Sequence, residues 1–210
     1  MQDIDWTQMS VIFNACDNIT HLAVLHTDFC SLSHPNGGLF YGNGLSHHPM
    51  KRDQDLHLTL FDAPLYYRPN STPRKFPIFD RVTHIRLKSI SFYQPSIGLD
   101  RFSRLSHLSV PYCLGGNHKA KDLQHFLDLK SLKMLVITVA TDIVKKGRWK
   151  RLEKWVRKTR ETDGRVYLVE RGPIFRDEWE LEIRSGDSIW DRALRYTNEW
   201  ESNMNMKMYG

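Results

Sequence analysis

Three histidines, His21, His84 and His107, hold the same place in three similar phrases of this 210-residue chain. Each stands one residue before an aliphatic: Leu22, Ile85 and Leu108. If the phrases are stacked strands, the rings form a column on one sheet face, with Met134 in line. Neutral imidazoles in a column can bind metal or respond to pH. A ligating histidine is normally held by a carboxylate or carbonyl on its other nitrogen, and no acid occupies the matching positions. The column therefore reads as a polar ladder that suits the turn into each strand. Cys16, His21, His26 and Cys30 are of zinc-ligand type. In a strand covering residues 20–26, His21 and His26 point to opposite faces, and the paired ligand spacings of zinc sites are missing. The expectation is no metal and no cofactor.

The second chemical feature is charge. The net charge is +6, yet residues 145–160 hold nine Lys or Arg and a single acid, Glu153, for +8, which leaves −2 for the rest. Lys150, Arg151, Lys154, Arg157 and Lys158 fall on one side of a helix whose other side carries Trp149, Leu152 and Val156. Such a face can hold phosphates or an anionic membrane surface. It also suits a solvated helix face, and no exposed aromatic array of the single-strand-binding kind accompanies it. Nine acids and five arginines in residues 170–201 offer internal neutralisation. For catalysis the sequence holds no G-x-S-x-G, HExxH or P-loop motif. Gly38, Gly42 and Gly44 open no periodic helix and read as loop.

The elements that must position these residues follow a recurring phrase, aliphatic-x-x-aliphatic-x-aliphatic. It occurs as Ile19-Thr-His-Leu22-Ala-Val24, Val82-Thr-His-Ile85-Arg-Leu87, Leu105-Ser-His-Leu108-Ser-Val110 and Leu132-Lys-Met-Leu135-Val-Ile137. Leu56-His-Leu58-Thr-Leu60 is a weaker copy, with Asp55 where the first aliphatic belongs, and residues 165–169 read as a last strand. The central positions 22, 58, 85, 108 and 135 are separated by 36, 27, 23 and 27 residues. Three of the four fall within the period of leucine-rich repeats, in which each strand-bearing unit buries its apolar face only by stacking on the next. In a strand, Leu22 and Val24 face the core while His21 and Ala23 face out. The predicted fold is α/β, a short leucine-rich-repeat-like solenoid with a parallel curved sheet and with helices and loops on the outer side. The competing arrangement is a set of unrelated strands in an ordinary α/β domain.

Helical spacing appears at Trp6, Met9, Ile12 and Phe13, at Leu123, Phe126 and Leu127, and along residues 149–159. Ser188 with Asp191 three residues on reads as a cap, opening a helix with Ile189, Trp190, Ala193, Leu194, Thr197 and Trp200 on its packed face. Gly and Pro mark residues 33–55 and 62–78 as irregular loops. A single domain is expected over residues 1–201, with 202–210 a frayed tail. The opening residues show no basic, then apolar, export signal. The three cysteines, Cys16, Cys30 and Cys113, form no CxxC pair. Reduced thiols in a cytoplasmic or nuclear protein follow, and no membrane span is expected.

The phrases Cys16-Asp-Asn-Ile-Thr-His-Leu22, Val82-Thr-His-Ile85 and Leu105-Ser-His-Leu108 resemble a wording frequent in a large, uncharacterised group of leucine-rich-repeat-like proteins from mushroom-forming fungi. The ending is similar too: Asp163-Gly-Arg-Val-Tyr167, Glu178-Trp-Glu180 and Gly186-Asp-Ser-Ile-Trp190-Asp-Arg-Ala193. Some members resemble F-box proteins, with the F-box ahead of the repeats; here the chain opens almost directly on the first repeat, and a relative lacking the F-box is expected. No binding residues carry over from the resemblance. The expected function is a non-enzymatic protein-interaction scaffold. It would use the exposed sheet face around His21, His84, Arg86, Lys88 and His107, since solenoids present extended surfaces of that kind. The alternative is nucleic-acid binding through residues 145–160.

Overall fold

Alternating aliphatics on short β-branched runs build the sheet. The computed structural model describes residues 20–24, 55–61, 80–88, 99, 102–112, 119–140 and 146–209. Six strands appear there: β1 (His21–Val24), β2 (Leu56–Leu60), β3 (Val82–Leu87), β4 (His107–Pro111), β5 (Met134–Ala140) and β6 (Val166–Arg171). They lie side by side in chain order in one sheet, and every neighbouring pair is parallel. Parallel neighbours require a long crossover between strands, which the repeat intervals supply. The chain is thus an α/β protein with an open, all-parallel sheet. The helix signature at Trp6 to Phe13, the loops at 33–55 and 62–78 (Asp55 apart), the glycines 38–44, and Cys16, His26, Cys30 and Cys113 lie outside the described residues.

Strand alternation sorts the side chains onto two faces. On the first, register aligns Leu22, Leu58, Ile85, Leu108, Leu135 and Val166 in one row. Leu60, Leu87, Val110, Ile137 and Leu168 extend the same buried core. A 3-10 turn (Ala120–Leu123) leads into α1 (Gln124–Leu127), and with α2 (Lys146–Arg160) it covers this face through Leu123, Phe126, Leu152 and Val156. Arg165 steadies the turn after α1: its guanidinium donates to the carbonyls of Leu127 at 2.8 Å and Leu132 at 3.0 Å.

One irregularity follows from the weak copy. Leu56 is buried like Val82, but it stands two residues before its central leucine, Leu58, whereas Val82 stands three before Ile85. Strand β2 is therefore one residue short, and the register shifts between Leu56 and His57, with Thr83 the extra residue opposite. His57 then pairs with His84.

The opposite face is not left to helix-free solvent. Met134, Val136 and Val169 present apolar surface there, and α4 (Ile189–Tyr209) covers it with Ile189, Trp190 and Ala193. Ser188 starts this helix as the spacing predicts, its Oγ accepting from the Asp191 amide at 3.2 Å. Farther along, Thr197 Oγ1 accepts from Leu168 N–H at 2.9 Å and donates to Leu168 C=O at 3.2 Å, which closes part of the β6 edge. Tyr196 and Trp200 reach round to the first core. The helix continues to Tyr209, through most of the segment expected to fray. Helix α3 (Phe175–Ser185) also lies on this second face. Helices thus flank both sides of the sheet, a correction to the one-sided arrangement read from the sequence. The reason is physical: the last two strands are apolar on both faces, and the helices that follow them in the chain bury the second one.

Candidate interaction face

The histidine column exists, and it has four members. Register places His21, His57, His84 and His107 side by side on consecutive strands, with Met134 next in line. Ring centroids are 4.5 Å apart for His21–His57, 3.8 Å for His57–His84 and 4.1 Å for His84–His107. The inner pairs are stacked and the His21–His57 pair meets edge to face. Trp190 closes the far end, its ring 5.2 Å from His84 and 5.4 Å from His107. The sequence reading missed His57. Its signal was present in the weaker copy, since His57 precedes Leu58 as His21 precedes Leu22.

A hydroxyl from the preceding residue holds three of the rings. Thr20, Thr83 and Ser106 Oγ atoms lie 3.0, 2.8 and 2.8 Å from Nδ1 of His21, His84 and His107. At Ser106 the direction follows from the proton count. Its single hydroxyl proton goes to the Thr83 carbonyl at 3.2 Å. His107 Nδ1 must then be the donor, which leaves Nε2 as an acceptor. Among the described residues no three His, Cys, Asp or Glu side chains converge to hold a metal ion.

Electrostatics keep the ladder neutral. Burial lowers the pKa of His57 to about 4, with His21 adding to the shift and Asp55 opposing it. Burial and then the neighbouring histidines bring His84 to about 3. Burial also lowers His21 and His107. Asp55 is itself bound by Arg104 at 2.9 Å.

Of the five residues expected on an exposed face, His21 and Lys88 are exposed, and His84 and His107 are half-buried. Arg86 departs from expectation: it is 3% exposed, beneath α3. Its Nη1 donates to Glu182 at 2.6 Å and its Nη2 to Glu178 at 2.8 Å. The Phe175 ring lies over the guanidinium, 4.6 Å from its carbon. Arg192 from α4 binds the other oxygen of Glu178. Burial, with Arg192 and Arg171 adding to it, lowers the pKa of Arg86; burial, with Glu178 adding to it, raises that of Glu182; and the Arg86 and Glu182 charges pull each other back. The pair is ionised, because a guanidinium keeps its proton in a protein. A charged residue at a strand's outward position gave no sign in the sequence that a helix about 90 residues later would cover it.

The basic helix α2 keeps its charge outward. Lys150, Arg151, Lys154, Arg157 and Lys158 are exposed, while Leu152 and Val156 are buried. The expected neutralisation by residues 170–201 reaches α2 at Arg160, which binds Glu201 at 2.5 Å. Other acids of that region hold other arginines: Glu178 and Glu182 hold Arg86, Asp187 holds Arg195, and Glu180 holds Arg176. Glu153 accepts instead from the Trp200 indole at 3.1 Å. Among the described residues no helix is long and apolar enough to cross a membrane. No protein-family model, curated protein or solved structure matches the chain.

Proposed function

We propose that the protein is a non-enzymatic interaction scaffold, a leucine-rich-repeat-like solenoid related to the fungal group its phrases resemble, which takes a protein partner on the histidine face of its sheet. The observation that carries this reading is the ladder itself. Four rings from four successive strands form one continuous strip of aromatic, neutral hydrogen-bonding groups, open at His21 and half-open at His57, His84 and His107. Such groups suit interface contacts, where flat amphipathic rings provide area at low entropic cost. The hydroxyls at Nδ1, in place of acids, suit fixed recognition better than proton transfer. This reading places the protein in the cytoplasm or nucleus, where its three cysteines would stay reduced.

Site-specific photo-crosslinking tests this. A crosslinker at residue 21 or 88 should trap a discrete protein in native cells, and His57→Glu with His107→Glu should abolish the adduct while the fold persists. Adducts to nucleic acid alone, or none at 21 and 88 with strong capture at 154, would replace the reading.

A second reading, nucleic-acid binding through α2, has one specific observation in its favour. Lys150, Lys154, Arg157 and Lys158 stay exposed while the nearby acids serve other arginines. Contacts of that kind give phosphate binding that weakens steeply with salt.

A further inference from the structure

We propose that α3 occupies, within its own chain, the seat of an acidic helical partner: a helix presenting an aromatic ring and, three and seven residues later, two carboxylates to Arg86 and Arg192. The proposal rests on the interaction-scaffold reading and names the chemistry of a partner for the second face of the sheet.

Four observations carry it. The first is the orientation of α3. An amphipathic helix ordinarily buries its aliphatic stripe. Here the inward residues are Phe175, Glu178 and Glu182, while Leu181 is 63% and Ile183 44% exposed, and Ile174 at the N-cap is 56% exposed. Besides Phe175 and the half-buried Trp179, which meet Phe61 at 5.5 and 5.9 Å, ionic contacts hold the helix down.

The second is charge. Arg86, Arg192 and the nearby Arg171, which acts electrostatically on Arg86, set three guanidiniums against the two inward carboxylates of α3, Glu178 and Glu182. The seat is cationic even when α3 is in place.

The third is incomplete pairing. Arg86 Nε, Arg192 Nε and the hydroxyl of Ser109, which is 0% exposed and lies beside Arg86 in the sheet, have no hydrogen-bond partner. Buried polar groups in native proteins are almost always paired. An occupant bringing one more acceptor would fit this seat better than α3 does.

The fourth is separability. Gly172-Pro173 precedes α3, and Gly186 follows it at φ 72° in the left-handed region. A Cβ at either glycine would meet nothing within 4 Å. The next helix, α4, is anchored on its own by Ile189, Trp190, Ala193 and Thr197. Helix α3 can therefore leave while the sheet edge stays covered, carrying Leu181 and Ile183 with it.

The test uses the full chain carrying Glu178→Gln and Glu182→Gln, and a fluorescent peptide with the sequence of residues 173–186. Hydrogen exchange should show faster α3 amides in the variant and unchanged β3–β6 and α4. The peptide should bind the variant about tenfold more tightly than the wild type, because a competing internal occupant reduces apparent affinity. Binding should disappear when Arg86→Gln is added or when the peptide carries glutamine at positions 178 and 182. Should the double variant fail to fold, Glu182→Gln alone serves, since Glu178 would still hold Arg192. Equal affinity for variant and wild type, no binding to the variant, or binding that survives Arg86→Gln overturns the proposal. None of those results touches the crosslinks at residues 21 and 88, whose absence would defeat the scaffold reading instead.

Discussion

Stacked imidazoles on a half-buried face are costly to charge, and that cost gives the ladder a measurable signature. In the unfolded chain a histidine takes up its proton near pH 6.5, whereas His57 does so at about 4 and His84 at about 3 in the fold. Between those values the unfolded state binds more protons, so the ladder's contribution is intact above pH 6.5 and is lost as pH falls toward 4. Burial raises Glu182 and gives an opposing gain just above its ordinary range. The unfolding free energy from urea titrations should fall by on the order of 1 kcal/mol or more between pH 7 and pH 5, partly screened by solvent. The decline should be shallower in His57→Gln with His84→Gln; an equal decline would place the titration elsewhere. The two faces also differ in what truncation removes. Leu108→Ala, at a fully buried position, should cost about 2–5 kcal/mol. His84→Ala should cost about 1–2 kcal/mol, more than a surface change, because its ring stacks on both neighbours and meets Trp190. Denaturant midpoints of the two variants would show reversed costs if the faces were misassigned.

At the scale of elements, α3 and α2 carry opposite charge logic. Arg86→Ala strands Glu182 near the sheet and leaves Glu178 to Arg192 alone. An unpaired buried charge costs about 3–5 kcal/mol if it must stay buried, but α3 can turn its carboxylates to water. The expected result is a smaller global loss, about 1–3 kcal/mol, with α3 amides exchanging far faster than those of α4. Uniform loss of protection across both helices would mean that they move as one unit. For α2, reversing Lys150, Lys154 and Arg157 to Glu should leave stability within about 0.5 kcal/mol, because all three side chains face water while Leu152 and Val156 hold the core. Salt titration of oligonucleotide binding, on wild type and variant, separates a solvated face from a nucleic-acid site. Weak, sequence-insensitive binding near 10⁻⁴–10⁻⁶ M at about physiological salt fits the scaffold. Nanomolar, sequence-selective binding that vanishes in the variant makes α2 the functional surface.

For the molecule as a whole, the terminal strand is the weak point of an open sheet. Strand β6 has β5 on one side and α4 on the other, and Thr197 binds both backbone groups of Leu168. Thr197→Val keeps the shape and removes both bonds. It should cost about 1–3 kcal/mol, the penalty for unsatisfied buried groups, and light scattering should show greater self-association through the uncovered edge. A variant as stable and monodisperse as the wild type would mean that packing by Ile189, Trp190 and Ala193 suffices to close the sheet.

What the sequence determined by itself was local and periodic. Alternation fixes which side of each strand is aliphatic, so the core row from Leu22 to Leu135 and three of the four ladder histidines were legible in it, and the repeat intervals pointed to a parallel sheet. His57 was overlooked although Leu58 aligns with Leu22 and Ile85 and so sets His57 between His21 and His84; the register shift opposite Thr83 displaces the preceding Leu56. The tertiary structure alone decided what lies over the second face. Arg86 and Glu178 are 92 residues apart, and nothing in the spacing of either predicts their meeting. Each residue type taken alone prefers water. Their burial follows from the placement of α3 above the sheet, where mutual attraction and the Phe175 ring offset the loss of hydration. A charge's local sequence specifies its preference for solvent, while its eventual partner is a property of the assembled fold.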